Sequence, residues 1–138
     1  MSKYVIYTDG AYSAKRNQGG VGIVILRDGQ LLQKFNKGYK NTTNNRMELK
    51  AVIWALKAVQ KEIDSLTIYS DSMYVIGCAI LGWKRKKNQL EWLLYDEEFE
   101  RAQKLVKNPI EFVHVKGHNG DKYNEICDNL AVRASQQE

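Results

Sequence analysis

Two segments of the chain share one pattern that largely determines how the chain can fold. Residues 3–9, KYVIYTD, and residues 65–71, SLTIYSD, are runs of β-branched and aromatic residues that end in aspartate. Each run predicts a β-strand, and a helical pattern lies between them. Strands that are joined through a helix pair in parallel, with a right-handed crossover. The sequence therefore predicts that Asp9 and Asp71 emerge at the same edge of one sheet.

The remaining elements complete a mixed sheet. The predicted strands are residues 3–9, 21–26, 30–39, 65–70 and 110–115, and the predicted helices run from capping residues 41–45 to about Glu62 and over residues 72–82, 89–107 and 122–135. Asp28-Gly29 is a hairpin signal between the second and third strands. The order predicts an α/β fold with a five-stranded mixed sheet, made of an antiparallel three-strand meander plus two parallel strands, flanked by helices on both faces.

Composition limits the class of protein. The 138 residues are 43% hydrophobic and 27% charged, which is typical of a single globular domain spanning residues 1–138. The chain contains no run of eighteen apolar residues, so we expect no membrane span. Its first residues also lack the apolar stretch of a signal peptide. Cys78 and Cys127 have no metal-type spacing, so we interpret them as reduced thiols of a cytoplasmic protein. The net charge of +5 favours a polyanionic partner without specifying one.

Glu48 occupies an unexpected place in the helix between the two aspartate-ending strands. At about 100° per residue it lies on the same stripe as Ala51, Val52, Ala55 and Leu56. A lone carboxylate facing the core costs several kcal/mol unless it is paired or bound to a metal. Taken singly, Asp9 and Asp71 would each be interpreted as a turn or helix-capping residue. Together with Glu48 they predict a carboxylate cluster.

A fourth carboxylate, Asp128, lies on the last predicted helix. It is about 60° from Ala131, at the edge of that helix's apolar stripe. Periodicity leaves open whether Asp128 is a solvated boundary residue or part of the cluster. Three or four carboxylates without Lys or Arg partners repel one another, and divalent cations with a preference for oxygen, such as Mg²⁺, resolve the repulsion. Two such ions can clamp the attacking and leaving oxygens of a phosphodiester, which indicates phosphoryl-transfer chemistry on nucleic acid.

The motifs around these residues resemble those of the type 1 ribonuclease H family. The matching segments, in the family's order and over essentially the whole chain, are YTDGAYS (7–13), TTNNRMEL (42–49), IYSDSMYV (68–75), VKGHNG (115–120) and YNEICDNLA (123–131). The resemblance implies an RNase H-like fold. It also implies cleavage of the RNA strand of an RNA/DNA hybrid, with a 5′-phosphate and a 3′-hydroxyl as product ends.

The resemblance further implies a role for each carboxylate. Asp9, Glu48, Asp71 and Asp128 match the family's catalytic, metal-binding carboxylates, which hold two Mg²⁺ ions, with Mn²⁺ as a substitute, and Asp9 is expected to bridge both ions. His118, bracketed by glycines in its loop, would on its own be interpreted as a surface histidine. The resemblance makes it a catalytic residue that transfers protons near neutral pH. His114, in contrast, is interpreted as a strand residue without a chemical role.

Substrate contacts are predicted in two segments. Asn44 and Asn45 either cap the Glu48 helix or, as the resemblance implies for Asn44, contact the minor groove. The resemblance also implies that Thr43 helps to hold a DNA phosphate. The run from Trp83 to Lys87 is either a solvated helix end or a backbone-binding patch in which Trp83, Lys84, Lys86 and Lys87 bind substrate. In the loop after Asp9, the substrate contact stays open between Lys15, Arg16 and Asn17.

The prediction is therefore a monomeric enzyme whose partner is an RNA/DNA hybrid duplex. Some members of the family carry a longer basic protrusion, which is shortened or absent in this chain. Two alternatives are a catalytically idle hybrid-binding module and another nuclease or transposase-like domain of the same fold. The presence of an acid at all four matching positions argues against the first. The TTNN segment, the compact size and the VKGHNG loop argue against the second.

Overall fold

The computed structural model describes residues 2–116 and 121–137, and the element types in those residues follow the predicted order. The strands are β1 (Lys3–Ser13), β2 (Gln18–Arg27), β3 (Gln30–Lys40), β4 (Ser65–Ser70) and β5 (Glu111–His114), and the helices are α1 (Asn44–Lys57), α2 (Met73–Ala79), α3 (Gln89–Leu105) and α4 (Lys122–Ser135).

The five strands form one sheet in the order β3-β2-β1-β4-β5. The pairs β1–β2 and β2–β3 are antiparallel, whereas β1–β4 and β4–β5 are parallel. The predicted mixed sheet, with its meander at one edge, is confirmed. Tyr7 lies opposite Tyr69 in the parallel register, so β1 and β4 run side by side up to Asp9 and Asp71. The expectation that the first strand ends at Asp9 is wrong, because β1 continues to Ser13 in its pairing with β2.

Helices cover both faces of the sheet, as predicted, because side chains alternate along each strand. On one face, Ile6 of β1 and Ile68 of β4 pack in the larger apolar core with α1 residues such as Leu49. On the other face, Tyr7 packs with Val24 and with Cys127 of α4. The two helices that carry Glu48 and Asp128 are therefore fixed against opposite faces of β1, the strand that carries Asp9.

The first helix ends earlier than the sequence predicts. We expected it to run to about Glu62, but α1 ends at Lys57. Arg101 of α3 donates hydrogen bonds to the carbonyl oxygens of Leu56 and Val59, both at 2.8 Å. These contacts satisfy carbonyl groups that helix continuation would otherwise use. A side chain from a distant segment thus stabilises this helix end.

Cys78 and Cys127 are both buried as free thiols. Within residues 2–116 and 121–137, no helix has the length and apolar character that crossing a membrane requires.

Candidate active site and nucleic-acid cleft

Three of the predicted carboxylates meet at the edge of the sheet. Asp9, Glu48 and Asp71 each present one oxygen atom, and these atoms all lie within 4.8 Å of one another. Asp9 is 3% exposed and Glu48 is 7% exposed, so the cluster is largely removed from water. The alternative that Asp71 caps the following helix is wrong, because the Ser72 hydroxyl accepts the capping hydrogen bond from the Val75 amide.

Gly10 allows Glu48 to reach β1 beside Asp9. Its backbone amide donates hydrogen bonds to Glu48 Oε1 at 2.7 Å and to Asp9 Oδ1 at 2.9 Å. A Cβ atom at this position would lie 2.5 Å from the Glu48 backbone nitrogen, so no larger residue fits without a shift of α1. The helix backbone therefore contacts the strand directly, and one amide holds two acidic side chains.

The electrostatics of the cluster favour protonation unless a cation binds. Burial, then the Asp71 charge, then a hydrogen bond with Asp128 raise the pKa of Asp9 to about 8. Burial raises the pKa of Glu48 well above its usual range, and the charges of Asp9 and Asp71 add to the effect. None of the ion pairs found among the described residues involves these carboxylates.

One buried oxygen in the cluster has no hydrogen-bond partner within the described residues. Asp71 Oδ1 is inaccessible to water and receives no donor from this part of the chain. A buried carboxylate oxygen without a donor is costly unless a cation compensates it. The donor set is entirely oxygen, which is the set that Mg²⁺ prefers. The residues present therefore fit a divalent metal ion.

Asp128 lies beside the group of three carboxylates. It is half-buried on α4, close enough to Asp9 for its charge to raise the pKa of the Asp9 carboxyl. It does not belong to the set of oxygens within 4.8 Å of one another. Of the two alternatives that periodicity left open, the structure favours the position at the site.

Of the two histidines, only His114 lies within the residues that the structure describes. His118 lies outside the described residues, so its role stays a prediction. His114, at the end of β5, is exposed, and its Nε2 lies 3.2 Å from the Asp71 carbonyl oxygen. The sequence predicts no chemical role for His114. The parallel register that pairs His114 with Ser70, next to Asp71, is the signal that could have placed it at the site.

All seven predicted substrate-binding residues line one cleft of about 820 Å³ beside α1, the helix that carries Glu48. They are Thr43, Asn44, Asn45, Trp83, Lys84, Lys86 and Lys87, and the remaining lining includes Arg46 and Gln89. Two segments that are about forty residues apart in the chain thus form opposite sides of one surface. The cations on this surface match the charge of a nucleic-acid backbone.

The N-terminal cap of α1 is Thr43. Its Oγ1 accepts a hydrogen bond from the Arg46 amide at 3.2 Å, and its backbone is extended. The alternative that Asn44 or Asn45 caps the helix is therefore wrong. Both asparagines are exposed in the first turn of α1 and line the cleft.

The basic run does not form a helix end, because α2 already ends at Ala79. Arg85 turns away from the cleft: its guanidinium donates to both carboxylate oxygens of Asp96 at 2.9 and 2.8 Å and lies 4.2 Å from the centre of the Trp92 ring. Trp83 lies directly against Gly77, where any Cβ atom would collide with its ring, and it remains 49% exposed. Trp83 and the lysines on either side of Arg85 face the cleft, while Arg85 anchors the segment.

The loop after Asp9 contains two residues with partners in the chain. Asn17 accepts a hydrogen bond from the Tyr12 hydroxyl and donates one to Asn41 Oδ1 at 3.0 Å. Arg16 Nη1 donates to the Gln136 carbonyl oxygen at 3.0 Å. Of the three residues left open by the sequence, Lys15 is exposed and has no such bond within the described part of the chain.

Comparisons with known proteins agree with this geometry. The family model described as RNase H matches residues 1–136. The chain is 41% identical to Ribonuclease H of Trichodesmium erythraeum, over 99% of this chain and 90% of that protein. It is 42% identical to Ribonuclease HI of Haemophilus ducreyi, over 95% of this chain and 89% of that protein. The crystal structure of LC11-RNase H1 in complex with RNA/DNA hybrid, 24% identical over 96% of each chain, has the same fold with a TM-score of 0.79. The chain therefore belongs to the RNase H family of endoribonucleases.

Proposed function

We propose that this chain, as a single catalytic domain over residues 1–138, hydrolyses the RNA strand of RNA/DNA hybrids and leaves 5′-phosphate and 3′-hydroxyl ends. The observation that carries the proposal is the group of three carboxylates within 4.8 Å of one another, beside a cleft lined with lysines. The cluster supplies ligands for cations that act on a phosphodiester, and the cleft supplies charge for its backbone. Its relatives named Ribonuclease H and Ribonuclease HI support the choice of substrate.

Asp9, Glu48, Asp71 and Asp128 would hold two Mg²⁺ ions, for which Mn²⁺ could substitute. When bound, such ions lower the pKa of water and stabilise negative charge on the leaving oxygen. Asp9 is in electrostatic contact with each of the other three carboxylates, which supports its assignment as the residue shared by both ions. Gly10 holds Asp9 and Glu48 in register for this task through its two hydrogen bonds.

The cleft residues would position the duplex. Asn44 and Asn45 present amides to the minor groove, where RNA is distinguished by its 2′-hydroxyl groups. The hydroxyl of Thr43 and the ammonium groups of the lysines would hold DNA phosphates, and Trp83 offers an exposed ring for stacking. The RNA strand would then lie over the carboxylates at the edge of the sheet.

His118 is proposed to transfer a proton during turnover. We expect the substitution His118→Ala to lower kcat at saturating hybrid by about 10²-fold or more, the scale of general acid–base catalysis, without eliminating cleavage. His114→Ala changes the other histidine of the chain, which contacts the Asp71 carbonyl oxygen, and measures how far the loss of that contact alone lowers kcat. A kcat for His118→Ala equal to that of the unsubstituted enzyme would contradict the assignment.

The decisive experiment is a cleavage assay on end-labelled RNA/DNA hybrid, RNA/RNA duplex and single-stranded RNA, each with and without Mg²⁺. We expect cleavage of the hybrid alone, only with metal, and no cleavage by Asp9→Asn, which should still bind the hybrid. Equal cleavage of all three RNAs would contradict the proposed substrate. Binding without cleavage would instead indicate a catalytically idle module. The monomeric state and cytoplasmic location also stay predictions, which sedimentation and cell fractionation can test.

A further inference from the structure

A group of cations lies outside the cleft, on the face of β3 that packs against α1. The ammonium groups of Lys50 and Lys37 lie 4.3 and 5.9 Å from the centre of the same Tyr39 ring. The Tyr39 hydroxyl accepts a hydrogen bond from Trp54 Nε1 at 2.7 Å, which fixes the ring. We call Lys37, Tyr39 and Lys50 the Tyr39 cluster. Two ammonium groups on one anchored ring form a site of concentrated positive charge.

The charges around this cluster do not balance within the described residues. Burial lowers the pKa of the Lys50 ammonium, and the charges of Arg46, Lys37 and Lys57 lower it further. The carboxylate that acts in the opposite direction is Glu91 of α3. Glu91 also lies 3.8 Å from Arg46 Nε, which has no hydrogen bond in this part of the structure. Several cations thus share one acidic side chain, and a bound anion would relieve their repulsion.

The cluster is continuous with the cleft. Arg46 lines the cleft, and Lys50 follows it by one helical turn, about 6 Å along the same side of α1. Lys37 and Tyr39 approach from β3, whose odd-numbered residues face α1. The even-numbered residues of β3 face α4, since Asn36 donates to the Leu130 carbonyl oxygen at 3.0 Å. The positive surface of the cleft therefore extends past Arg46 onto the Tyr39 cluster.

We propose that the Tyr39 cluster binds backbone phosphates of the same duplex that occupies the cleft, beyond the base pairs that the cleft itself holds. This inference rests on the proposed function. Charge complementarity and continuity with the cleft identify the occupant as a nucleic-acid backbone. The cluster would lengthen the binding footprint, and none of its residues belongs to the group of carboxylates that would hold metal.

The test measures hybrid binding in the non-cleaving Asp9→Asn background, as the slope of log Kd against log salt concentration. For K37Q/K50Q we expect weaker binding of a hybrid longer than the cleft and a slope reduced by about one unit for each lysine that contacts a phosphate. K37R/K50R, which keeps both charges, should restore the slope. K34Q/K61Q is the matched control, because it removes the same charge from the other face of β3 and from beyond the end of α1.

Each result of this experiment has a distinct meaning. A slope for K37Q/K50Q equal to that of the parent would overturn the inference, as would an equal loss in K34Q/K61Q, which would show only an effect of net charge. Cleavage by the unsubstituted enzyme is assayed separately. An unchanged slope with cleavage intact therefore contradicts the Tyr39 cluster alone, while a protein that binds hybrid without cleaving it contradicts the proposed catalysis alone.

Discussion

At the scale of single residues, Glu48 shows how function conflicts with burial. Its place on the apolar stripe of α1 predicted that it faces inward, and it is 7% exposed in the structure. Its acceptor oxygen is held by the Gly10 amide at 2.7 Å, a bond that a glutamine oxygen can also accept. The structure explains the position geometrically, because α1 contacts β1 directly at Gly10. The charge itself is an electrostatic cost in the absence of metal.

The substitution Glu48→Gln separates these two properties. We expect it to lower kcat by about a hundredfold or more, because glutamine would weaken the binding of the metal ions that stabilise charge in the transition state. The unfolding free energy measured without metal should stay within about 1 kcal/mol of the parent value or increase, because a buried charge is removed. Urea unfolding in EDTA and a cleavage assay with Mg²⁺ provide the two measurements. A variant that loses stability and keeps activity would contradict the assignment.

Asp9 gives the metal-free protein a predicted dependence on pH. Its pKa is 3.8 ordinarily and about 8 in the folded chain, so between these values the unfolded state releases a proton that the folded state retains. The unfolding free energy contributed by this group is therefore fully present below about pH 4 and falls as pH rises towards 8.

Asp9→Asn is the control for this dependence. Urea unfolding of both proteins in EDTA across that pH range should show the parent losing stability relative to the variant as pH rises. Added Mg²⁺ should reduce the loss for the parent, because the ion binds the ionised cluster. A difference between parent and variant that does not change with pH would contradict the raised pKa.

At the scale of elements, the segment between α2 and α3 divides its cations between structure and binding. Arg85 forms an ion pair with Asp96 of α3 and donates a hydrogen bond to the Cys78 carbonyl oxygen at 3.3 Å. Its guanidinium also makes a cation–π contact with the face of Trp92. The neighbouring lysines line the cleft. The sequence runs these cations together, and only the packing of α3 against the segment distinguishes them.

Arg85→Gln should therefore affect stability first. We expect a loss of about 1–2 kcal/mol of unfolding free energy, since the partly exposed ion pair contributes little and the contact with Trp92 contributes the remainder. The slope of log Kd against log salt should not change. Lys84→Gln should show the reverse, with parental stability and a smaller slope. An arginine variant that alters only the slope would place Arg85 in the cleft.

At the scale of the whole molecule, the sequence predicts the order and direction of the strands better than it predicts contacts between distant residues. The run KYVIYTD, the helix pattern and the run SLTIYSD were sufficient to predict parallel strands that bring Asp9 and Asp71 to one edge, because connection through a helix leaves few alternatives. The approach of α1 to Gly10, the end of α1 at Lys57 and the inward turn of Arg85 were not predictable, because each depends on a residue that is distant in the chain. The Tyr39 cluster was not predictable for the same reason, because its residues come from β3 and α1.

The separation of charge across the molecule gives the last prediction. Carboxylates lie at the edge of the sheet and cations line the cleft, within a chain whose net charge is +5. K84Q/K86Q/K87Q should bind hybrid more weakly, with a slope reduced by about one unit per lost phosphate contact, while kcat at saturating hybrid stays close to the parent value. The reason is that these lysines hold the duplex and do not touch the reacting phosphate. K61Q/K104Q/K107Q loses the same net charge outside the cleft and should keep the parental slope. Equal slopes for the two triple variants would show that the cleft acts only through net charge, and a fall in kcat for the cleft variant would show that its lysines also take part in the chemical step.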